Sequence, residues 1–204
     1  MHITEARWLE VLAYCGVRAL TAARWAPIFE RHVQPSGFSQ GARELDDFVG
    51  QVLHETAMLD RLVENLSYSA QRLTEVWPKR FPSLASATPV AWNPPGLAER
   101  AYGGRLGNVA PGDGFKYRGR GIPMVTGKTN YQLLEDLTGE PLVDFPVLLE
   151  NPDIALRCGV LWWEGKVPDS AIDSVERVTR AVQGGQQELD RRAHLTNKAK
   201  VALA

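Results

Sequence analysis

The sequence HETAMLD at residues 54–60 continues a stretch with one apolar helical face, and the other segments are interpreted around it. The packed positions recur at steps of four and three residues, as on one face of an α-helix; they are Phe48, Val52, Glu55, Leu59 and Leu62. Because a carboxylate on a packed face is costly unless it is paired, Glu55 should keep its proton to a higher pH, as a general acid must. The alternative interpretation is a core helix with one misplaced acid.

A second carboxylate is available at Glu64, but in a continuous helix it would point away from Glu55. Nine residues rotate by about two and a half turns and rise by about 13.5 Å. The polar run NLSYS at residues 65–69 predicts that the helix ends near Glu64, and that Ser67 or Ser69 caps a new helix through residue 77. A bend there would bring Glu64 round to face Glu55. Asp60 is the competing candidate, although it lies well around the helix from Glu55.

Length and composition indicate a soluble globular protein. The chain has 204 residues, of which 44% are hydrophobic and 23% are charged, with a formal net charge of -1. One domain, or one domain of two lobes, fits this length. The balanced charge argues against a nucleic-acid-binding protein that acts through a global basic field. Cys15 and Cys158 are too few for a disulfide framework and are expected to be free thiols.

Helical periodicity and capping residues predict a mainly α fold. Thr4 is a plausible N-cap for a helix over residues 4–14, and Asn151 with Pro152 starts another. Further helices are predicted at 20–33, with a kink at Pro27, from about 42 to 64, and at 130–137, 170–182 and 186–203. Residues 77–95 are expected to form loops and one short helix, with Pro82, Pro89, Pro94 and Pro95 as helix breakers. We therefore expect one helix-rich domain over residues 1–204 with a small β-hairpin.

The hairpin is expected in the glycine-rich segment 102–121. Phe115 and Tyr117 alternate with Lys116, Arg118 and Arg120, so an extended chain would be aromatic on one side and basic on the other. Aromatic faces beside arginines suit sugars that bear carboxylates. The alternative is a short hairpin with a solvated basic face.

The sequence contains incomplete forms of two cofactor-binding motifs, one for zinc and one for phosphate. A zinc helix would need a second histidine where Met58 stands, and the four histidines of the chain are not clustered. His54 is therefore expected either to orient a substrate or to satisfy a hydrogen bond in the core. Gly127-Lys128-Thr129 resembles the end of a phosphate-binding loop, but the required earlier glycine is replaced by Ile122. No metal site and no nucleotide site are expected.

Six segments in order resemble the glycoside hydrolases of family 19, in particular their phage-endolysin and bacterial lysozyme-like branch. They are HET (54–56), ENLSYSAQRL (64–73), YGGRLGN (102–108), GDGFKYRGRG (112–121), TGKTNY (126–131) and VTRAVQGG (178–185). The resemblance implies a lysozyme-like, mainly α fold of two lobes with a small β-hairpin. It also implies cleavage of β-1,4 bonds between amino sugars with inversion at the anomeric carbon.

The resemblance assigns roles to individual residues. Glu55 matches the general acid, Glu64 the second acid, and Thr126 the hydroxyl that helps to hold the attacking water. Inversion requires the two carboxyl groups to lie roughly 6.5 to 9.5 Å apart, and the reaction needs no cofactor. The candidate substrate-binding residues are His54, Tyr68, Tyr117, Arg118, Arg120, Asn130, Gln183 and Arg191.

Three departures from the family pattern touch the expected cleft. Ala57 and Met58 stand where small glycines usually follow the acid, Ile122-Pro123-Met124 replaces a stretch that usually ends in Gln, and Gln183 replaces an Asn. Both carboxylates are kept. An active hydrolase is therefore the leading hypothesis, and a catalytically silent saccharide-binding relative is the alternative from another functional class.

Peptidoglycan is the expected substrate, with chitin as a variant, because a disulfide framework typical of secreted chitinases is missing. The N-terminus has neither the basic start nor the apolar run of a secretory signal, and no segment is apolar enough to span a bilayer. We expect synthesis in the cytoplasm and action on the periplasmic cell wall, as an endolysin or as an injected antibacterial effector. A holin-type release or secretion system, and an inhibitor or immunity protein, are the expected partners.

Overall fold

The computed structural model describes residues 2–122 and 124–204, and these residues form a mainly α protein. Within them lie eleven α-helices and five short 3-10 helices, and β-structure is limited to isolated bridges. The fold class predicted from the sequence is confirmed. The α-helices are α1 (Glu5–Cys15), α2 (Ala19–His32), α3 (Leu45–Glu55), α4 (Ala70–Val76), α5 (Leu84–Ala87), α6 (Pro94–Tyr102), α7 (Asp113–Lys116), α8 (Lys128–Thr138), α9 (Pro152–Lys166), α10 (Val175–Gln183) and α11 (Leu189–Leu203). None of these helices is long and apolar enough to cross a membrane.

Several helix ends follow directly from side chains that cap the free backbone N–H groups. The Thr4 hydroxyl accepts from Arg7 N at the start of α1, and the Ser69 hydroxyl accepts from Arg72 N at the start of α4. Asn151 caps α9 in the same way, with Pro152 at the first helical position. These three starts were predicted from the sequence. The two C-terminal helices begin three to five residues later than predicted, at Val175 and Leu189.

The described residues divide into two compact units. Unit 1 comprises the chain up to Leu62, the segment Gly121–Met124 and the C-terminal segment Leu148–Ala204. Unit 2 comprises Val63–Arg120 and Val125–Val147. Each unit has its own buried hydrophobic cluster. The single catalytic domain over residues 1–204 stays a prediction.

Unit 1 is built around the contact between α3 and α11. A Cβ atom on Gly50 would lie 2.8 Å from the backbone N and Cα of Thr196, so the two helices approach too closely for any larger residue there. The surrounding core is rich in large aromatic side chains; these are Trp8, Trp25, Phe29, Phe48 and Trp163. The close crossing places Arg192, one turn before Thr196, against the C-terminal end of α3.

Helix α3 ends at Glu55, so the prediction that it continues to Glu64 is wrong. Thr56 ends the helix, because its hydroxyl donates to Val52 O at 2.7 Å and accepts from Leu59 N at 2.9 Å. Ala57, Met58 and Leu59 then have φ angles of 49°, 66° and 66°. Three successive non-glycine residues in the left-handed region cannot belong to a right-handed helix. Leu59 is buried, as the periodicity predicted, but it belongs to this left-handed turn and not to a helix.

Unit 2 contains a helix that was not predicted, because prolines stand at its start. Pro94 and Pro95 were interpreted as helix breakers, yet α6 begins at Pro94 with Asn93 as its N-cap, whose side chain accepts from Gly96 N at 3.1 Å. A proline at the first helical position removes an N–H that would have no helical partner. The cluster beneath consists of Leu66, Leu73, Phe81, Ala87, Leu97 and Ala98.

The extended strand predicted through Phe115 and Tyr117 is wrong, because residues Asp113–Lys116 form helix α7. Gly114 allows α7 to pack on α6, since a Cβ there would lie 2.8 Å from Ala98 O. Gly114 therefore serves helix packing. The hairpin is reduced to isolated antiparallel bridges from Arg120 to Val63 and to Val125.

Candidate active site

Glu55 is the last residue of α3, and its side chain is 18% exposed. Arg192 Nη2 donates to its Oε1 at 2.6 Å. The other oxygen, Oε2, makes no hydrogen bond with any residue that the structure describes. From the sequence, Glu55 was treated as an unpaired carboxylate on a packed face, whereas the structure pairs it with Arg192 through one oxygen only.

Arg192 is fixed in place by several acceptors of unit 1. Its side chain is 2% exposed, Nη1 donates to Gln51 Oε1, and Nη2 also reaches Gln183 Oε1 at 3.1 Å. Nε donates to the carbonyl of Gln187 at 3.3 Å. A buried guanidinium with this many partners has one defined orientation, so it positions the Glu55 carboxyl group as well.

Sequence reasoning chose Arg191 and missed Arg192. Arg191 is exposed, whereas Arg192 lies on the buried face of α11. The sequence did contain a signal for the burial of Arg192, because Arg192 shares one helical face with the apolar positions of α11. The buried residues of that face are Arg192, Leu195, Thr196, Ala199 and Ala202. A role of Arg191 in binding substrate stays a prediction.

His54 lies next to Glu55 and is largely buried, with 8% of its side chain exposed. Its Nε2 is 2.9 Å from Glu188 Oε2, and its Nδ1 is buried without a hydrogen-bond partner among the described residues. Burial, followed by the charge of Arg192, lowers the pKa of His54. The imidazole is therefore mainly neutral near pH 7.

Glu64, in unit 2, accepts hydrogen bonds from two neutral donors. Gly119 N–H donates to Oε1 at 2.5 Å, and the Tyr102 hydroxyl donates to Oε2 at 2.7 Å. Burial and the charge of Glu64 raise the pKa of Tyr102, so its hydroxyl keeps its proton and remains a donor. Both oxygens of Glu64 thus act as acceptors. Tyr102 was not singled out from the sequence.

Thr126 and Glu64 converge over Gly119. A Cβ atom on Gly119 would lie 3.2 Å from Glu64 Cβ and Cδ and 3.2 Å from Thr126 Oγ1. A side chain at residue 119 would therefore crowd both groups, and glycine allows the Glu64 carboxyl group and the Thr126 hydroxyl to approach the same stretch of backbone. Asn130, which is exposed, donates to Thr126 O at 2.7 Å and fixes the backbone beneath that hydroxyl. Three predicted site residues are thus brought together.

Tyr117 and Arg120 are buried, which corrects the prediction that they line a substrate cleft. Tyr117 is 1% exposed and donates to Val143 O, while Arg120 is 5% exposed and donates to Lys116 O at 2.7 Å and to the Tyr131 hydroxyl at 3.2 Å. Neither side chain reaches a surface from these positions. Both support the backbone that carries Gly119 and Thr126.

Two other predicted residues of unit 2 remain partly exposed. The Tyr68 ring packs on Trp77 with centroids 6.0 Å apart, and the Arg118 guanidinium lies 4.2 Å from the centre of the Phe115 ring. These contacts hold both side chains at the surface of unit 2. Their contact with substrate stays a prediction.

Asp60, the competing second acid, is engaged elsewhere. It accepts from Arg18 Nη2 at 2.7 Å and from the Thr21 hydroxyl at 3.1 Å, both in unit 1. The hydrogen bond from Arg18 lowers the pKa of Asp60. Its carboxylate is therefore tied to α2. Across the described residues, no group of three or more His, Cys, Asp or Glu side chains has the arrangement of a metal site.

Comparison with known proteins identifies the family of the chain. No protein-family model matches it. A curated relative from Haemophilus influenzae, named as a glycosyl hydrolase family 19 domain-containing protein, is 37% identical over 151 residues, which cover 72% of this chain and 74% of the relative. The chain belongs to glycosyl hydrolase family 19. It is a glycoside hydrolase, as the sequence predicted.

Solved structures agree with the fold of this family 19 hydrolase. Chitinase C from Streptomyces griseus superposes with a TM-score of 0.57 at 18% identity, over 98% of this chain and 92% of the chitinase. A mutant of chitinase C matches over the same shares of both chains, with a TM-score of 0.57 at 16% identity. At these identities the similarity concerns the fold.

Proposed function

We propose that this family 19 hydrolase cleaves β-1,4 bonds between the amino sugars of peptidoglycan by an inverting acid/base mechanism, with Glu55 as the acid and Glu64 as the base. The observation that carries the proposal is the contrast between the two carboxyl groups. Glu55 keeps one oxygen without a hydrogen-bond partner in the described chain, whereas both oxygens of Glu64 accept from donors. An acid needs an oxygen that carries a proton, and a base needs an ionised carboxylate.

Glu64 and Thr126 act on the water. The Glu64 carboxylate and the Thr126 hydroxyl both lie against Gly119, and together they accept from and orient one water molecule. As the water oxygen bonds to the anomeric carbon, Glu64 takes one of its protons. Tyr102 and Gly119 hold the carboxylate in one orientation while this happens.

Glu55 acts on the leaving group. Its proton passes to the glycosidic oxygen as the bond from that oxygen to the anomeric carbon breaks, so one proton is delivered and one is taken up by Glu64. Glu55 then becomes a carboxylate 2.6 Å from the Arg192 guanidinium. A fixed cation stabilises negative charge as it develops, which lowers the barrier of the step.

Peptidoglycan is proposed as the substrate on two grounds. Cys15 and Cys158 are buried and are not part of a disulfide, as in proteins that do not depend on disulfides. In addition, cationic side chains near Tyr102 suit a polymer whose attached peptides bear carboxylates. The enzyme would act on the periplasmic wall after release or injection, with a holin-type or secretion system for delivery and an inhibitor or immunity protein as a further partner. Chitin is the second candidate, favoured by the names of the structural neighbours.

A lysis assay tests the proposal. Purified protein is added to permeabilised Gram-negative cells and turbidity is followed, with Glu55→Gln as the inactive control and soluble chitin oligosaccharides as a parallel substrate. Clearing by the parent protein but not by Glu55→Gln is the expected result. Cleavage of chitin oligosaccharides without any clearing of cells would contradict the peptidoglycan assignment and favour the second candidate.

A further inference from the structure

Unit 2 carries a cleft of about 510 Å³ whose lining includes Tyr102 but otherwise takes no part in the proposed acid/base steps. It opens between the C-terminal ends of α4 and α6. Its volume falls within the range of roughly 300 to 1,000 Å³ that is usual for ligand sites. The lining residues that matter here are Trp77, Lys79, Arg80, Tyr102, Arg105 and Leu106.

The charge of the cleft is positive and is not balanced by a carboxylate among the described lining residues. Lys79, Arg80 and Arg105 contribute three cations. Arg80 Nη1 donates to the carbonyls of Arg100 and Ala101 at 2.9 and 2.7 Å, and Arg105 Nη1 reaches Ala101 O at 3.4 Å. These bonds fix both guanidinium groups at the end of α6 and offset the partial negative charge of that helix end.

Donor capacity remains after these bonds are made. Each guanidinium has five N–H donors and each ammonium has three. The other nitrogens of Arg80 and Arg105 and the Lys79 ammonium make no hydrogen bond or ion pair with any described residue. Fixed cations with spare donors are suited to a carboxylate ligand.

The rest of the cleft is apolar and aromatic. The Trp77 ring stacks with Phe81 at a centroid distance of 6.3 Å and packs against Tyr68 at 6.0 Å, so its position is fixed. Leu106, 46% exposed, contributes aliphatic surface. A neutral sugar would leave the cations without partners, whereas a short peptide offers both aliphatic side chains and carboxylates.

The structure assigns this cleft to the peptide stems of peptidoglycan, and we infer that it binds the acidic peptide attached to the glycan strand. The inference rests on the proposed function and deepens it. Tyr102 links the two features, since it lines the cleft and its hydroxyl donates to Glu64. A stem held in the cleft would therefore position its own sugar near the base, and stem-bearing strands would be the preferred substrate.

The test compares soluble glycan strands that carry peptide stems with the same strands after an amidase has removed the stems and the lactyl carboxylates thereby exposed have been capped as methylamides. The variant is Lys79→Gln/Arg105→Gln. The matched control is Arg24→Gln/Arg100→Gln, which removes the same charge at exposed positions outside the cleft. We expect kcat/KM on stem-bearing strands to fall by about 5- to 20-fold in the variant and by less than about twofold in the control, the size of effect expected when charge-assisted hydrogen bonds are lost. On stem-free strands, both proteins should match the parent.

Equal losses on both substrates, or no loss on either, would overturn the inference. If the double variant melts earlier than the parent, Lys79→Gln alone provides the same comparison, because it leaves both guanidinium groups in place. If the parent cleaves neither substrate, the proposed function has failed. The cleft is then tested by calorimetry, where stem-bearing strands should bind the parent more tightly than stem-free strands and lose that advantage in the variant, and equal binding would overturn it.

Discussion

The two candidate catalytic carboxyl groups are held by opposite means. In unit 1, Glu55 is paired with one buried cation, and Arg192 is itself fixed by the side chains of Gln51 and Gln183. In unit 2, Glu64 is held without a cation, by the Tyr102 hydroxyl and the Gly119 backbone. Glu55 uses one oxygen in these contacts and Glu64 uses both.

This difference matches two different tasks. A group that releases a proton during the reaction ends as an anion and benefits from a nearby cation, whereas a group that begins as an anion needs only donors that fix its direction. Their different surroundings thereby suit two chemically identical carboxyl groups to different roles.

The largest effect is expected from the carboxyl groups themselves. Glu55→Gln and Glu64→Gln should each lower kcat by about 10² to 10⁴, or roughly 3 to 5 kcal/mol of barrier, because the amide neither delivers nor accepts the proton. Asp60→Asn should stay within about threefold of the parent, since Asp60 is tied to Arg18. Rates on one soluble glycan, with circular dichroism as a folding control, decide the ranking. A severe loss in Asp60→Asn alone would move the base to that residue.

A second effect is expected at the cation of unit 1. Arg192→Met should lower the free energy of unfolding by about 2 to 4 kcal/mol, because Glu55 and Gln51 lose a buried partner. The neighbouring Arg191→Met should change it by less than about 0.5 kcal/mol, as is usual for an exposed position. Urea unfolding of both variants measures the difference. Equal effects would show that the network around Arg192 contributes little.

A third prediction concerns Asp47, a carboxyl group on the same helix as Glu55 but without a guanidinium partner. Burial raises its pKa to about 6. Because its pKa is higher in the folded state than in the unfolded state, its contribution to stability is full below about pH 4 and is lost as the pH rises through about 6. Asp47→Asn should therefore gain about 1 to 3 kcal/mol relative to the parent between about pH 4 and pH 7. A difference that does not change with pH would contradict this.

The smallest effect is expected at the neutral donors of unit 2. Tyr102→Phe removes one hydrogen bond to Glu64 while keeping the ring, so kcat/KM should fall by about two- to tenfold, corresponding to roughly 0.5 to 1.5 kcal/mol. Tyr14→Phe, at an exposed tyrosine, is the matched control. A loss as large as that of Glu64→Gln would mean that Tyr102 takes part in the proton transfer.

Local signals in the sequence account for most of the elements that were predicted. Thr4, Ser69 and Asn151 mark helix starts because an N-cap needs only its own side chain and the next few N–H groups. Reliance on local signals also gave a wrong prediction at Pro94, where a proline begins a helix instead of ending one.

The candidate site was only partly predictable for a different reason. Glu55, Glu64 and Thr126 came from short motifs, but the partner Arg192 depends on the crossing of α3 and α11, which Gly50 permits. The early end of α3 depends on left-handed residues that are not glycines. Notably, Ala57 and Met58 stand where relatives were expected to have glycine, the residue that adopts this conformation most easily.

Short sequence motifs did not predict which side chains are buried. Tyr117 and Arg120 lie in a motif that is rich in glycine and charge, yet their side chains are 1% and 5% exposed. Their hydrogen bonds to Val143 O and to Tyr131 come from residues distant in the chain. A pattern of residue types within one segment cannot show which neighbours will cover it.

The assignment of acid and base is tested most directly by changing the leaving group. The parent, Glu55→Gln and Glu64→Gln are compared on an amino-sugar oligosaccharide and on the same sugar chain with a dinitrophenolate leaving group, which departs without protonation. On the activated substrate, Glu55→Gln should come within about tenfold of the parent, whereas Glu64→Gln should remain lower by roughly 10² to 10⁴, since water still requires a base. Recovery of Glu64→Gln, with no recovery of Glu55→Gln, would contradict the account and exchange the two roles.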